Sequence, residues 1–166
     1  MKKGMHKAIS LLVGGMAGVA AGGAAIGKVL KKESKEKDEL FRKVLSYYFI
    51  YDQWLSVRQG GKSLVNYFEQ NGYKTVAIYG LKELGERLYD ELKNSDIEVK
   101  YIIDKNADAL YTDVDIVTPD EELECVDVIV VTATFYYDEI EEMLYHKTDC
   151  PIVSLEDVIS EIFTVE

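Results

Sequence analysis

After residue 73 the hydrophobic pattern alternates between short apolar runs and longer amphipathic segments. Buried strands are predicted at residues 75–79, 97–103, 114–117, 126–132 and 152–154. Amphipathic helices are predicted at residues 81–92, 137–146 and 155–163, and a brief helix near Pro119, because proline suits a first helical turn. Strands that alternate with helices favour a parallel sheet with right-handed crossovers. The expected fold is therefore α/β, a Rossmann-like parallel five-stranded sheet in the order 3-2-1-4-5.

A helical segment without glycine or proline, residues 31–58, precedes the sheet. Apolar residues recur in it at alternating steps of three and four, which makes one stripe along a helix: Phe41, Val44, Tyr48, Tyr51 and Leu55. Four further residues widen the stripe: Leu40, Leu45, Tyr47 and Trp54. We expect the stripe to dock on the sheet domain or on a second copy of the chain. An aromatic ligand cage is the alternative.

The N-terminal part contains an uncharged, largely apolar run at residues 8–27, with lysines on both sides. As a helix its 20 residues would extend about 30 Å, which is enough to cross a bilayer core. Gly14, Gly18 and Gly22 fall four residues apart and would form a stripe where a second helix packs closely in lipid. We predict a glycine-zipper membrane helix that self-associates. A cleaved signal peptide and a soluble or interfacial segment stay open as alternatives.

These patterns divide the chain into a membrane anchor with basic flanks (1–32), a helical connector (33–72) and a nucleotide-binding-type domain (73–166). Residues 1–37 hold eight lysines and two glutamates, a balance of +6, and the other 11 basic and 28 acidic residues give −17. The basic end suits an anionic membrane surface, whereas the acidic body would repel nucleic acid, which we do not expect as a partner. We predict a single-pass protein of the cell membrane with its main domain in the cytoplasm.

Ligands of an open parallel sheet bind beyond the carboxyl ends of the strands where the strand order reverses, here the first and fourth. The turn after the first strand, Gly80–Gly85, matches the dinucleotide pattern G-x-G-x-x-G at its first and third glycines, whereas Lys82 replaces the second. Backbone N–H groups at the start of the following helix favour a phosphate. Asp104 ends the second strand, where a carboxylate can bond the ribose hydroxyls of NAD.

The candidate ligand-binding residues are therefore Gly80, Leu81, Lys82, Gly85, Asp104, Lys105, Asn106, Thr132 and Thr134. Two alternatives stay open: Asp104 only caps a turn with Asn106, or Lys82 blocks the site. The only histidines, His6 and His146, lie 140 residues apart, so no His/Cys metal cluster is predicted.

Catalytic groups are scarce. Tyr101 and Lys105, like Tyr89 and Lys93, have the Tyr-x-x-x-Lys spacing of short-chain dehydrogenases, but neither pair follows the fourth strand, where it would have to stand. No second domain is present in residues 1–166 to carry a substrate. We assign no catalytic residue and do not expect this chain alone to form a complete enzyme.

Several segments carry a family resemblance: Trp54-Leu55, Gly61–Leu64, Tyr67-Phe68, Asn71–Lys74, Ala77–Gly80, Glu83–Gly85, Tyr101–Asn106, Asp127–Thr132 and Pro151–Val158. Over them the chain resembles small clostridial Rossmann-like proteins that are labelled nucleoside-diphosphate-sugar epimerase-like and are associated with surface-polysaccharide loci. The resemblance implies a module that binds a nucleotide or nucleotide-sugar and serves cell-envelope glycan assembly. True epimerases add the Tyr-x-x-x-Lys pair and a substrate domain, which this sequence does not show.

The leading hypothesis is a membrane-anchored cytoplasmic Rossmann-like module that binds NAD or a nucleotide-sugar and is accessory to polysaccharide assembly. Its expected partners are the membrane through residues 8–27, glycan-assembly enzymes, and a second copy through the glycine stripe or helix 40–58. A reduced NAD-dependent nucleotide-sugar epimerase or dehydrogenase is one alternative. A ligand-free scaffold protein is the other.

Overall fold

A computed structural model describes residue 32 and residues 34–164 of the chain. The predicted glycine-zipper helix at residues 8–27 lies outside these described residues. Among the described residues, no helix has both the length and the apolar character that crossing a bilayer requires. The chain divides into two compact units, residues 1–45 and residues 46–166, and the boundary falls within the first described helix.

The unit of residues 46–166 holds a parallel sheet and its covering helices. The strands are β1 (Thr75–Tyr79), β2 (Glu98–Ile103), β3 (Asp115–Val117), β4 (Val128–Val131) and β5 (Ile152–Ser154). The helices are α1, described over residues 34–59, α2 (Val65–Gln70), α3 (Glu83–Leu92), α4 (Tyr137–Leu144) and α5 (Leu155–Thr164). Single 3₁₀ turns lie at Ala107–Ala109 and Thr134–Tyr136.

The five strands run parallel in the order β3-β2-β1-β4-β5, which confirms the predicted fold class and strand order. The two central strands, β1 and β4, consist almost wholly of buried apolar residues, as strands covered on both faces should. Because the strand order reverses between β1 and β4, the carboxyl ends of these two strands flank the crevice where ligands of such folds bind.

Side chains from the two faces of the sheet form two separate cores. Val76 and Ile78 of β1 point into a core shared with apolar residues of α1, α2, α3 and α5. Ala77 and Tyr79 of the same strand point to the opposite face, into a core covered by Ile140 and Leu144 of α4. The lead-in helices are therefore part of the folded unit, because Leu64 and Phe68 are fully buried in the first core.

Helix α1 docks on this unit through a face that the apolar spacing predicted only in part. Ile50, Trp54 and Val57 are buried, at 1%, 6% and 3% exposure. Tyr48 and Leu55, which belong to the predicted docking stripe, are instead 61% and 56% exposed. The prediction that the stripe docks on the sheet domain therefore holds for Trp54 and Tyr47, which widen it and pack into the core, and is wrong for Tyr48 and Leu55. The helix carries two apolar faces, and spacing alone does not tell which one is covered.

The predicted brief helix near Pro119 is also wrong. Residues 118–121 form a turn instead, in which the Glu121 N–H donates to the Thr118 carbonyl at 3.2 Å. The Glu121 carboxylate in turn accepts the Thr118 N–H at 2.6 Å. This side chain closes the turn on itself, and the chain then runs without helix to β4.

Candidate functional site

The turn after β1 depends on glycine at its first position. Gly80 has φ of +93°, a conformation that other residues rarely adopt, and a Cβ there would lie 3.0 Å from the Thr132 hydroxyl. Its N–H donates to the Ile103 carbonyl at the end of β2, at 2.8 Å. The turn is thereby bonded to β2 on one side and packed against the end of β4 on the other.

Gly85, the third glycine of the motif, lies in the first turn of α3 directly against the loop. A Cβ at this position would lie 1.9 Å from the carbonyl oxygen of Gly80, which is inside the van der Waals contact distance. Only glycine allows α3 to start this close to the strand, as the third position of a dinucleotide-binding turn requires. The geometry thus matches the motif at both glycines that the sequence retains.

Asp104 connects three parts of the site. One oxygen, Oδ2, accepts the Leu81 N–H at 2.9 Å, and the other, Oδ1, accepts the Asn106 N–H at 2.9 Å. The Asp104 N–H donates to Val117 at the end of β3, and the residue is only 6% exposed. The interpretation of Asp104 as a turn cap with Asn106 is confirmed. The carboxylate also holds the glycine loop, a role that the spacing did not predict.

Lys82 and Lys105, the two lysines among the predicted ligand-binding residues, are exposed at the rim of this site. Lys82 immediately precedes α3 in an extended conformation, with φ −87° and ψ −162°. The first turn of α3 also carries two acidic residues, Glu83 and Glu86, so the charge near this helix start is mixed. The lysines and the helix N-terminus would attract a phosphate there, and the glutamates would repel it.

After β4, Thr132 and Thr134 play different parts. The Thr132 hydroxyl lies 2.7 Å from the Gly80 carbonyl oxygen and 3.0 Å from that of Tyr79, so it holds the glycine turn in place. Thr134 opens the 3₁₀ turn before α4 and lines a small cleft of about 150 Å³ with residues 135–139. Its hydroxyl is buried and has no hydrogen-bond partner among the described residues.

Tyr79 lies at the same edge of the sheet and was not among the predicted residues. It is the last residue of β1, is 4% exposed, and its hydroxyl has no hydrogen-bond partner within the part of the chain that the structure describes. Burial raises the pKa of this hydroxyl, and the nearby carboxylates of Asp104 and Asp120 raise it further. A tyrosine at the carboxyl end of a central strand was the available signal.

Direct contacts therefore join six of the nine predicted residues: Gly80, Leu81, Gly85, Asp104, Asn106 and Thr132. Lys82 and Lys105 are neighbours of this group in the chain and are exposed to solvent. Thr134 lies at the start of the segment that leads into α4. The predicted residues therefore lie together at one edge of the sheet, at the carboxyl ends of β1, β2 and β4.

The two Tyr-x-x-x-Lys pairs do not form a proton-transfer site. The Tyr101 hydroxyl donates to the Glu124 carbonyl at 2.7 Å, and burial raises the pKa of this tyrosine to about 12. Lys93 of the second pair bonds Asp90 at 2.6 Å on the surface of α3. Among the described residues, no three His, Cys, Asp or Glu side chains are placed to hold a metal ion.

Fold and site together define an α/β protein with a Rossmann-like sheet and a glycine turn at its switch point. Comparison of the chain with models of protein families, with curated proteins and with solved structures found no match. The resemblance to epimerase-like proteins of polysaccharide loci therefore stays a prediction. The side chains of the site are the basis for the function proposed below.

Proposed function

We propose that this chain binds a nucleotide-type ligand, a nucleotide-sugar or a dinucleotide, in the crevice between the ends of β1 and β4. In this proposal it is a binding module and not a complete enzyme. One observation carries the proposal: Tyr79, the last residue of β1, and Thr134, three residues after β4, each bury a hydroxyl that has no partner among the described residues.

Such hydroxyls are unfavourable in the protein alone. A buried polar group without a partner destabilises a fold by about 1–3 kcal/mol, and folded proteins pair nearly all of them. Two unpaired hydroxyls at the two strand ends that flank the switch point are explained if a ligand supplies their partners.

The neighbouring groups suggest the class of ligand. A carboxylate has about four lone-pair positions. Oδ2 of Asp104 accepts the Leu81 N–H, and Oδ1 accepts the Asn106 N–H and, at 3.4 Å, the Asn106 side-chain amide. A ribose or sugar hydroxyl could donate to the remaining position on Oδ2, whereas a 2′-phosphate would be repelled, which favours NAD over its phosphorylated form. Lys82 and Lys105 are placed to attract the phosphates of either ligand.

The test is a titration calorimetry panel on the full chain with NAD, NADH and UDP-sugars. We expect binding by at least one of them, weakened about three- to tenfold by Thr134→Val or Tyr79→Phe, since each variant removes one ligand hydrogen bond. Without ligand, both variants should unfold at the same denaturant concentration as the parent or higher, because the hydroxyl that they remove is unpaired.

Thr132→Val is the matched control, because its hydroxyl is bonded to the backbone of the turn. We expect it to destabilise the free protein, unlike Thr134→Val. If no member of the panel binds at millimolar concentration, or if Thr134→Val and Tyr79→Phe bind as well as the parent, the proposal is wrong. Turnover of a bound ligand would favour the reduced epimerase or dehydrogenase instead.

A ligand-free scaffold is the second candidate, and one contact favours it. The Leu81 N–H, which lies in the turn where a dinucleotide's pyrophosphate would approach, already donates to the Asp104 carboxylate. Lys82 adds a side chain where a dinucleotide-binding turn has glycine. In the scaffold case, the parent would bind no member of the panel. NAD binding gained by this variant would show that Lys82 closes an otherwise competent site.

We further propose that the module works at the cytoplasmic side of the cell membrane, as an accessory to polysaccharide assembly. Its support is the uncharged run at residues 8–27 and the family resemblance described above. Carbonate extraction of cells that express the full chain tests the anchor. Retention in the membrane pellet is expected, with loss of retention when three leucines or isoleucines of the run are changed to lysine. Recovery of the parent in the soluble fraction would refute the anchor.

A further inference from the structure

Within the unit of residues 46–166, helix α1 is apolar on two faces. Ile50, Trp54 and Val57 are buried in the core. Tyr48, Tyr51 and Leu55, here named the outer face, are 61%, 38% and 56% exposed. Successive helical residues are about 100° apart, so Trp54 and Leu55 point in different directions. A helix that is apolar on more than one side is normally covered on more than one side.

The spacing of the outer face indicates what covers it. Its residues follow one another at steps of three and four, and in the sequence the same alternation continues back to Val44 and Phe41. Alternating steps of three and four are the a/d spacing of a coiled coil, which buries a narrow apolar seam against another helix. A helix with the same seam is available in every other copy of this chain.

We propose that the outer face of α1 pairs with the outer face of α1 in a second copy. The contact would be isologous, so each seam residue meets a seam residue of its partner. From the exposed fractions of Tyr48, Tyr51 and Leu55, each copy would bury roughly 300 Å². A standard interface buries about 800 Å² per partner, so this contact is a weak and reversible one. The acidic body of the protein opposes association, so the pairing should strengthen as salt is added.

Disulfide cross-linking of the full chain in mild detergent tests the contact. In a Cys125→Ser, Cys150→Ser background, Tyr48→Cys is compared with Tyr111→Cys, which replaces another exposed tyrosine, 92% exposed, in a loop. Tyr48 belongs to the outer face, and oxidation traps each pair that forms, so Tyr48→Cys should cross-link to a dimer in most of the protein. Cross-linking of Tyr48→Cys no greater than that of Tyr111→Cys would overturn the proposal.

Sedimentation equilibrium of the full chain gives an independent result. Tyr48→Glu combined with Leu55→Glu should raise the dimer dissociation constant about tenfold or more, because each dimer would bury four unpaired charges. Tyr111→Glu is the control and should leave the constant unchanged. A monomeric parent would mean that residues 8–27 or detergent cover the outer face, and an unchanged dimer in the double variant would place the contact elsewhere; either result refutes the proposal.

Discussion

The Asp104 carboxylate accepts the backbone N–H of Leu81 at 2.9 Å, across 23 positions of sequence. Its second oxygen accepts the Asn106 N–H at the same distance, and the side chain is almost wholly buried. The residue that stands at the ribose position of a dinucleotide site therefore also builds the glycine loop. Any ligand that uses Asp104 meets a carboxylate that is already fixed in place by two backbone donors.

Asp104→Ala should strongly destabilise the protein. The change leaves the buried Leu81 N–H and the part-buried Asn106 N–H without their acceptor. A buried unpaired group costs about 1–3 kcal/mol and a part-buried one less, so we expect a loss of about 2–4 kcal/mol. Urea unfolding at neutral pH measures the loss. Asp108→Ala, at an exposed position in the following 3₁₀ turn, is the control and should change stability little. Equal unfolding midpoints for the two variants would show that Asp104 does not stabilise the glycine loop.

Gly85→Ala should be more damaging than an ordinary glycine replacement in a helix. Alanine usually stabilises a helix relative to glycine, but here its Cβ would lie 1.9 Å from the Gly80 carbonyl oxygen. Backbone must move to relieve that overlap, and we expect a loss of at least about 3 kcal/mol. In Gly60→Ala, at the end of α1, the nearest atoms are at 3.4 Å, so that variant should unfold close to the parent. A stable Gly85→Ala would show that α3 can shift away from the loop.

Most of the sheet could be predicted because its strands are short apolar runs separated by polar turns. Residues 75–79 and 152–154 were predicted with the bounds that the structure shows, and the order of the strands follows from right-handed crossovers. The site could be located for the same reason, since fold topology alone brings the ends of β1 and β4 together. Gly80 and Gly85 could be recognised because their spacing reflects a local turn.

Features that depend on contacts between distant residues could not be predicted. The bond from Leu81 to Asp104 needs the register of two strands, and the unpaired hydroxyl of Tyr79 needs knowledge of what surrounds it. The prediction of which face of α1 docks was wrong for Tyr48 and Leu55 for a related reason. Ile50 and Val57 are as apolar as Tyr48 and Leu55, so periodicity shows two candidate faces and packing decides between them.

Glu91 is a second, part-buried acceptor that the sequence does not reveal. It also pairs with Arg58 of α1 at 3.3 Å, and Glu91→Gln should loosen the attachment of α1. Its Oε2 accepts the Trp54 indole N–H at 2.8 Å, and its Oε1 accepts the Leu64 N–H at 2.7 Å and the Ser63 hydroxyl at 2.8 Å. An amide has only one acceptor oxygen and would turn a donor toward donors, so we expect a loss of about 2–4 kcal/mol.

Trp54 is the only tryptophan in the chain, so its fluorescence reports this change directly. We expect the emission of folded Glu91→Gln to shift toward longer wavelength as the indole loses its partner and gains water. Glu86→Gln, on the exposed side of the same helix, should keep the parent emission. An unshifted spectrum together with an unchanged urea midpoint would mean that Glu91 does not hold α1.

Two buried tyrosines should make the fold sensitive to alkali. Burial raises the pKa of Tyr67 and of Tyr101 from 10.0 to about 12. The folded state therefore keeps these protons where the unfolded chain releases them, so their contribution is complete below pH 10 and is lost as the pH rises toward 12. We expect the urea midpoint to fall across that window. Tyrosinate absorbance should show that these two groups ionise only as the protein unfolds, as should Tyr79 and Tyr137, whose pKa values burial also raises. Tyr101→Phe should reduce the slope of stability against pH by about one proton, whereas Tyr111→Phe, at a 92% exposed position, should keep the parent's slope. Equal slopes in all three proteins would show that Tyr101 does not resist ionisation in the folded state.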